Sequence, residues 1–257
     1  MTISRERTLV RTAAWLLVAV LSVGSSRAAE VHVAVAANFA APMKSLATAF
    51  ERESGHRAII SLGATGQLAA QIRQGAPYGV LLSADAGTPG KLVRDGYALA
   101  ETQRTYAIGR LVLWSRDANY VDAKGDVLRR DDLRRVAIAN PKLAPYGAAA
   151  QQTLRALGLL EKLRPKIVEG ANINQAFQFV ASGNAELGFV ALSQVMTDGE
   201  LKSGSAWIVP ANLHEPIKQD VVLLSKGKDN PAAVALVKYL DSQHARDIIG
   251  RYGYELP

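Results

Sequence analysis

The stretch RAIISLGATGQLAAQI, Arg57 to Ile72, changes from a strand pattern to a helix pattern within a few residues. Its first part is apolar and β-branched, which is typical of a buried strand. Gly63 and Gly66 permit a tight turn, and the second part places apolar residues at helical spacing. The same order of strand, small-residue turn and helix recurs along the chain, so the sequence predicts βα units that form mostly parallel sheets flanked by helices.

These units fall into two series, separated by a long strand-like segment at 105–115. The pattern predicts two α/β lobes. Residues 29–108 begin the first lobe, residues 109–215 form the second, and residues 216–257 return to the first. No Pro/Ser-rich linker separates the series, so we expect strands rather than a flexible tether to join the lobes.

The beginning of the chain has the pattern of a secretory signal. Arg5, Arg7 and Arg11 precede an apolar run at 13–24, and small residues follow. The run is shorter than the roughly 20 residues that a membrane-spanning helix needs. We therefore expect residues 1–28 to be a signal peptide that is removed on export to the periplasm.

Composition excludes several classes of protein. The chain has no cysteine, so it needs no disulfides and cannot carry a lipid on an N-terminal cysteine. Its formal charge is +7, of which four arginines and one glutamate before residue 29 contribute +3, leaving +4 for the exported part. The densest basic cluster, at 128–135, alternates with acids like a solvated helix face. Because no basic stripe is interleaved with aromatic residues, we expect no nucleic-acid partner.

Ligands of open α/β sheets bind beyond the carboxyl ends of the strands, where helices begin. Apart from Lys142 and Glu169, these junctions contain no ionisable residue other than tyrosine. Such a site can still hold a dianion, because unpaired N–H groups and aligned peptide dipoles at helix N-termini supply a positive potential. The four junctions are 35–43, 61–67, 139–150 and 169–177.

From about Val31 to Pro257, the sequence resembles the periplasmic molybdate-binding proteins of ABC transporters, a branch of the class II solute-binding proteins. The motifs that carry the resemblance are, in order, AVAANF, SLGATGQLAAQI, GAPYGVLLSAD, YAIGRLVLWS, NPKLAPYG, AELGFVALSQV and RYGYELP. The resemblance implies a class II periplasmic binding fold with the ligand cleft between the lobes. It also implies a monomer that binds molybdate and tungstate and delivers them to an inner-membrane permease, with no catalytic residue, cofactor or direct metal-cation ligand.

The resemblance also implies a set of ligand-binding residues. Asn38 and Thr65 are expected to donate through their side chains, and Ile173 through its backbone N–H. Many family members have a tyrosine where this chain has Ala191, and we expect Tyr146 to replace it. The residues that match the oxyanion ligands of the family are Ala37, Asn38, Ala64, Thr65, Tyr146 and Ile173.

Each assignment has a simpler alternative. Asn38 and Thr65 are favoured residue types for helix N-caps. Tyr146 could pack over its turn without contacting a ligand. Asp85 looks like a ligand group, but we expect it to stiffen the turn before Thr88.

Two other functions are compatible with a cleft of this kind. The first is binding of sulfate or another tetrahedral oxyanion, which shares the geometry of molybdate. The second is a secreted hydrolase or transferase. The sequence has no GxSxG elbow, Ser-His-Asp signature or carboxylate pair on the matched turns, and its histidines do not have the spacing of metal ligands.

Overall fold

The structure of the protein is a computed structural model that describes residues 28–257. Except for Ala28, the expected signal peptide therefore lies outside the described residues. Within residues 28–257, no helix is long and apolar enough to cross a bilayer.

The described chain alternates strands and helices, as the sequence predicts. The strands are β1 Glu30–Ala36, β2 Arg57–Gly63, β3 Val80–Leu82, β4 Arg104–Gly109, β5 Leu111–Ser115, β6 Val136–Ala139, β7 Ile167–Gly170, β8 Leu187–Ala191, β9 Met196–Thr197, β10 Glu200–Leu201, β11 Ser205–Ile208 and β12 Ile217–Leu223. The α-helices are α1 Ala40–Ser54, α2 Thr65–Arg73, α3 Gly87–Arg94, α4 Pro145–Ala156, α5 Leu160–Leu163, α6 Ile173–Ala181, α7 Leu192–Val195, α8 Pro231–Tyr239 and α9 Gln243–Arg251.

Two five-stranded sheets contain ten of these strands, which confirms the two-lobed α/β fold, and β9 and β10 form a separate two-stranded sheet. The first sheet has the order β2-β1-β3-β12-β4 and the second has the order β11-β5-β8-β6-β7. Both sheets are mixed rather than mostly parallel. In the first, β1 pairs in parallel with β2 and β3, whereas β12 pairs antiparallel with β3 and β4. The second repeats this division, with parallel pairs around β6 and antiparallel pairs around β5.

The antiparallel strands are those by which the chain passes between the sheets. β4 ends at Gly109 and β5 begins at Leu111, so a single residue separates the two sheets. β12 returns to the first sheet after β11 without a preceding crossover helix, and a parallel neighbour would require one. The lobe boundaries expected after residues 108 and 215 lie beside these crossings and remain a prediction.

Alternation along β1 places the core of the first lobe on both faces of its sheet. Val33 and Val35 pack on the side of α1, α8 and α9. Ala34 faces the opposite side, where Leu68 of α2 and Leu92 of α3 cover it.

The core of the second lobe reaches into the first through small residues. Ala36, Ala64 and Ala84, which follow or end strands of the first sheet, belong to the same buried cluster as Leu113 of the second sheet. The strand ends of the two lobes therefore meet closely, which is where the sequence places the ligand.

Candidate anion-binding site

A small cavity lies between the two lobes at the strand ends. All six residues expected from the resemblance line this cavity, although they come from four separate segments of the chain. The lining residues are Ala36, Ala37, Asn38, Gly63, Ala64, Thr65, Ala84, Ala144, Pro145, Tyr146, Asn172 and Ile173.

The cavity is uncharged, whereas the groove outside it is not. In the described part of the chain, no Lys, Arg, His, Asp or Glu lines the cavity. A wider groove adjoins it and shares Ala84, Ala144 and Pro145 with it. The groove is lined by acids and bases in equal number, Asp85, Lys142, Glu215 and Lys218. The groove is larger and includes the N-terminus of α3, whereas the cavity brings together the first residues of α2, α4 and α6.

Helix α4 directs a backbone donor at the cavity because of its first two residues. Pro145 occupies the first helical position and has no N–H. Gly147 and Ala148 donate their N–H groups to the Ala144 carbonyl. The N–H of Tyr146 precedes these bonds and is left for a ligand.

Helix α6 presents one N–H in a similar way. The side chain of its N-cap, Asn172, accepts hydrogen bonds from the N–H groups of Asn174 and Gln175, at 3.0 and 3.1 Å. This cap satisfies the second and third donors of the helix and leaves the first, the N–H of Ile173, toward the cavity. The geometry is compatible with the backbone role expected for Ile173.

Thr65 is the first residue of α2, and Ala64, not Thr65, is the N-cap. The capping alternative for Thr65 is therefore wrong. The Thr65 Oγ1 accepts a hydrogen bond from the N–H of Ala84 at 3.1 Å, which orients the hydroxyl while leaving its own hydrogen to donate. The N–H of Ala64, which the resemblance assigns to the ligand, donates instead to Oε1 of Gln67 at 3.3 Å.

Asn38 lies in a 3-10 helix, Ala37–Phe39, whose N-cap is Ala36. The capping alternative is wrong here as well. The expectation that the Asn38 side chain donates to the ligand also needs correction, because both of its amide hydrogens are already used. The Asn38 Nδ2 donates to Gln219 Oε1 at 2.8 Å and to the Tyr254 hydroxyl at 3.0 Å. The N–H groups of Ala37 and Asn38 precede the first bond of the 3-10 helix and are the donors that this turn can offer.

The Tyr146 hydroxyl belongs to the same buried group. It accepts a hydrogen bond from Gln219 Nε2 at 3.3 Å. Burial raises the pKa of this hydroxyl well above its ordinary value, so it stays neutral. The expectation that this hydroxyl replaces the tyrosine absent at Ala191 stays a prediction, and the donor that helix α4 itself leaves unpaired is the Tyr146 backbone N–H.

Asp85 has the structural role that the sequence indicates. Its carboxylate accepts hydrogen bonds from the N–H and the hydroxyl of Thr88. Burial raises the pKa of this carboxyl, and the bonds from Thr88 act in the opposite direction. Asp85 lines the outer groove, not the cavity.

Two residues behind the site were missed by the sequence analysis. Gln219 lies between Lys218 and Asp220 in strand β12, and Tyr254 lies in the motif RYGYELP, for which no role was assigned. Both are buried and both contact Asn38. A fully buried glutamine in a strand is a signal of a hydrogen-bond network.

The lobes also contact each other beside the cavity. The N–H of Gly66 donates to the Leu143 carbonyl at 3.0 Å, which joins α2 to the turn before α4. A Cβ on Gly66 would lie 3.2 Å from that carbonyl oxygen, so the absence of a side chain permits this close approach.

Two α/β lobes that meet over a small uncharged cavity define a two-lobed binding protein. The chain belongs to the family of bacterial extracellular solute-binding proteins, whose family model matches residues 31–255.

Individual relatives of the chain have more specific names than the family model. The chain is 55% identical over 256 residues to the molybdate-binding protein ModA of Azotobacter vinelandii, covering 100% of both chains. It is 50% identical over 227 residues to the molybdate-binding protein ModA of Rhodobacter capsulatus, covering 88% of each. The solved structure of an Azotobacter vinelandii periplasmic molybdate-binding protein matches with a TM-score of 0.86 at 43% identity, over 88% of this chain and 99% of that one. The class is therefore that of a solute-binding protein and not of an enzyme.

Proposed function

We propose that this protein captures molybdate and tungstate in the periplasm and delivers them to an inner-membrane ABC permease. The names of the relatives at 50% and 55% identity support molybdate as the ligand. The name of the matched solved structure supports the periplasm as the compartment. The signal pattern at residues 1–28 is compatible with export, and we expect the protein to act as a monomer.

The observation that carries the proposal is a cavity that, among residues 28–257, is lined by donors and by no Lys, Arg, His, Asp or Glu. The N–H groups of Asn38, Thr65, Tyr146 and Ile173 and the Thr65 hydroxyl are the groups we assign to the anion, with Ala37 beside them. Their dipoles supply the positive potential that a dianion needs. A lysine or arginine would attract any anion and would slow its release, whereas fixed neutral donors act only on an anion that fits.

The same lining supports selectivity for a fully ionised anion. Hydrogen phosphate carries a proton that needs an acceptor, and no carboxylate lines the cavity among the described residues. Burying that O–H without a partner costs about 1–3 kcal/mol. Sulfate is fully ionised, so size has to reject it. The Mo–O and W–O bonds are longer than the S–O bond, and donors spaced for the larger anion are out of reach for sulfate.

Calorimetric titration of the purified protein with molybdate, tungstate, sulfate and phosphate tests this function. Molybdate and tungstate should bind with far lower Kd values than sulfate and phosphate. At about 1,000 times its Kd, a ligand that binds only the native state adds roughly 4 kcal/mol to the free energy of unfolding. The Tm should therefore rise by several degrees with molybdate and little with sulfate, and an equal rise with sulfate would contradict the size argument.

A further inference from the structure

A buried group of amides and hydroxyls lies directly behind the cavity and joins the two lobes. The first lobe contributes Asn38, Tyr106 and Gln219, and the second contributes Tyr146 from α4 and Ser193 from α7. Tyr254, near the C-terminus, lies between them. We call these six residues the hinge network.

Gln219 is the centre of the hinge network. Its Oε1 accepts hydrogen bonds from Asn38 Nδ2 at 2.8 Å and from the Tyr106 hydroxyl at 3.2 Å. Its Nε2 donates to the Tyr146 hydroxyl at 3.3 Å. One side chain with no exposed surface therefore contacts the turn at Asn38 in the first lobe and helix α4 in the second.

The second bridge between the lobes passes through Ser193 and Tyr254. The Ser193 hydroxyl donates to the Asn38 carbonyl at 2.9 Å, and the Tyr254 hydroxyl donates to the same carbonyl at 3.0 Å. The Ser193 and Tyr254 oxygens are also 3.0 Å apart. The Asn38 carbonyl is thus bound by two hydroxyls, while the N–H of the same residue is one of the donors we assign to the anion.

Local backbone features direct these side chains toward one another. In the ladder between β12 and β4, Gln219 pairs with Ala107 and Asp220 pairs with Thr105, which leaves Tyr106 as the extra residue of a β-bulge. Bulges re-aim side chains. Gly109, at the end of β4, lies against both the Tyr146 hydroxyl and the Gln219 amide, and any side chain there would overlap them.

We propose that Gln219 is a positioning residue of the anion site, which holds the lobes closed by joining the turn at Asn38 to helix α4 at Tyr146 without contacting the anion. This inference rests on the proposed function. Gln219 does not line the cavity, yet its partners Asn38 and Tyr146 carry two of the backbone donors assigned to the anion. Opening the cleft separates Gln219 from Tyr146, so their hydrogen bond contributes to the closed state only.

The test measures the Kd for molybdate and the Tm of the ligand-free protein on the same set of variants. Gln219→Leu removes every bond of the central amide and should raise the Kd by about tenfold or more. Tyr146→Phe removes the hydrogen bond between Gln219 Nε2 and the Tyr146 hydroxyl, which joins the two lobes. It should raise the Kd by about two- to tenfold, which is the change in affinity expected from the net free energy of one hydrogen bond. If Gln219→Leu does not fold, Tyr146→Phe still tests the proposed role of the bond between the lobes.

Tyr106→Phe is the matched control. It removes a buried hydroxyl from the same network, but both acceptors of that hydroxyl, Gln219 Oε1 and the Ser83 carbonyl, belong to the first lobe. Its Tm should fall while its Kd stays within about twofold of the wild-type value. A lower Tm with an unchanged Kd in Gln219→Leu and Tyr146→Phe as well would overturn the proposal, because it would reduce Gln219 to a structural residue.

The amide of Gly66 distinguishes failure of this inference from failure of the proposed function. It donates across the cleft to Leu143, so its hydrogen exchange reports closure without any ligand. If the wild-type protein does not bind molybdate, the proposed function is wrong, but exchange at Gly66 should still be faster in Gln219→Leu than in Tyr106→Phe. Equal exchange in these two variants would contradict the role of Gln219 in closure.

Discussion

The anion cavity and the hinge network behind it are both buried and neutral, but their hydrogen bonds are arranged in opposite ways. In the hinge network, the amide hydrogens of Asn38 and the hydroxyls of Tyr254 and Ser193 already have protein partners. In the cavity, the N–H groups of Tyr146 and Ile173 have no partner within the first turns of helices α4 and α6. Unused buried donors are costly without a partner, so this difference distinguishes a place that requires a ligand from a network whose hydrogen bonds are made within the protein.

The largest expected effect concerns the one side-chain donor assigned to the cavity. Thr65→Ala removes a neutral hydroxyl from a buried dianion, a loss of about 1.5–3 kcal/mol. The Kd for molybdate should therefore rise by about ten- to a hundredfold in a calorimetric titration.

Thr153→Ala provides the contrast for this prediction. Thr153 is equally buried, and its hydroxyl donates to the Ala149 carbonyl within α4. Its removal should lower the Tm and leave the Kd for molybdate unchanged. If Thr65→Ala behaves like Thr153→Ala, the Thr65 hydroxyl is structural and does not belong to the ligand site.

A smaller effect is expected where the two lobes approach each other. Gly66→Ala places a Cβ 3.2 Å from the Leu143 carbonyl oxygen and 3.3 Å from its Cα, on the opposite side of the cleft. Overpacking of this kind costs about 1 kcal/mol, so the Kd should rise by roughly fivefold.

The matched variant is Gly250→Ala in α9, where an added Cβ meets no described atom within 4 Å. It should raise the Tm through helix propensity, which is worth about 0.5–1 kcal/mol, and should not change the Kd. An unchanged Kd for Gly66→Ala would mean that the lobes need not approach this closely to hold the anion.

The smallest effect is expected from pH. Burial raises the pKa values of Tyr106, Tyr146 and Tyr254 above the ordinary value, so the hinge network stays neutral through the range in which molybdate is a dianion. The Kd should be flat between about pH 7 and 9, below the ordinary tyrosine pKa of about 10.

The stability that these tyrosines contribute should respond at higher pH. A group whose pKa is raised in the folded state stabilises the protein fully below its unfolded pKa, and this contribution is lost as the pH rises toward the folded value. The Tm of the ligand-free protein should therefore fall above about pH 10. A Kd that changes severalfold between pH 7 and 9 would mean that an ionisable group contacts the anion.

The sequence predicts the alternating elements and the four strand-to-helix junctions because these depend on local patterns. β2 and α2, for example, are visible from the spacing of apolar residues and from the small residues at the turn between them. The strand directions depend instead on how the chain enters the second lobe through β5 and returns from it through β11 and β12, and no local pattern records these crossings. For this reason the mixed character of both sheets was not predicted.

The candidate site shows the same limit at the level of single side chains. The resemblance to a family gathers Asn38, Thr65, Tyr146 and Ile173, and the structure brings these residues to one cavity. The resemblance does not indicate which atom of each residue faces that cavity. Whether Asn38 offers its amide or its backbone depends on Gln219, which is far away in the sequence and has no recognisable motif.

The most direct test of the account is a crystal structure of the protein with molybdate, in which anomalous scattering locates the molybdenum atom. The account predicts the molybdenum in the uncharged cavity, with oxygens within hydrogen-bond distance of the N–H groups of Asn38, Thr65, Tyr146 and Ile173. A molybdenum atom in the outer groove, beside Lys142 and Lys218, would contradict the central claim that neutral donors at helix N-termini hold the anion.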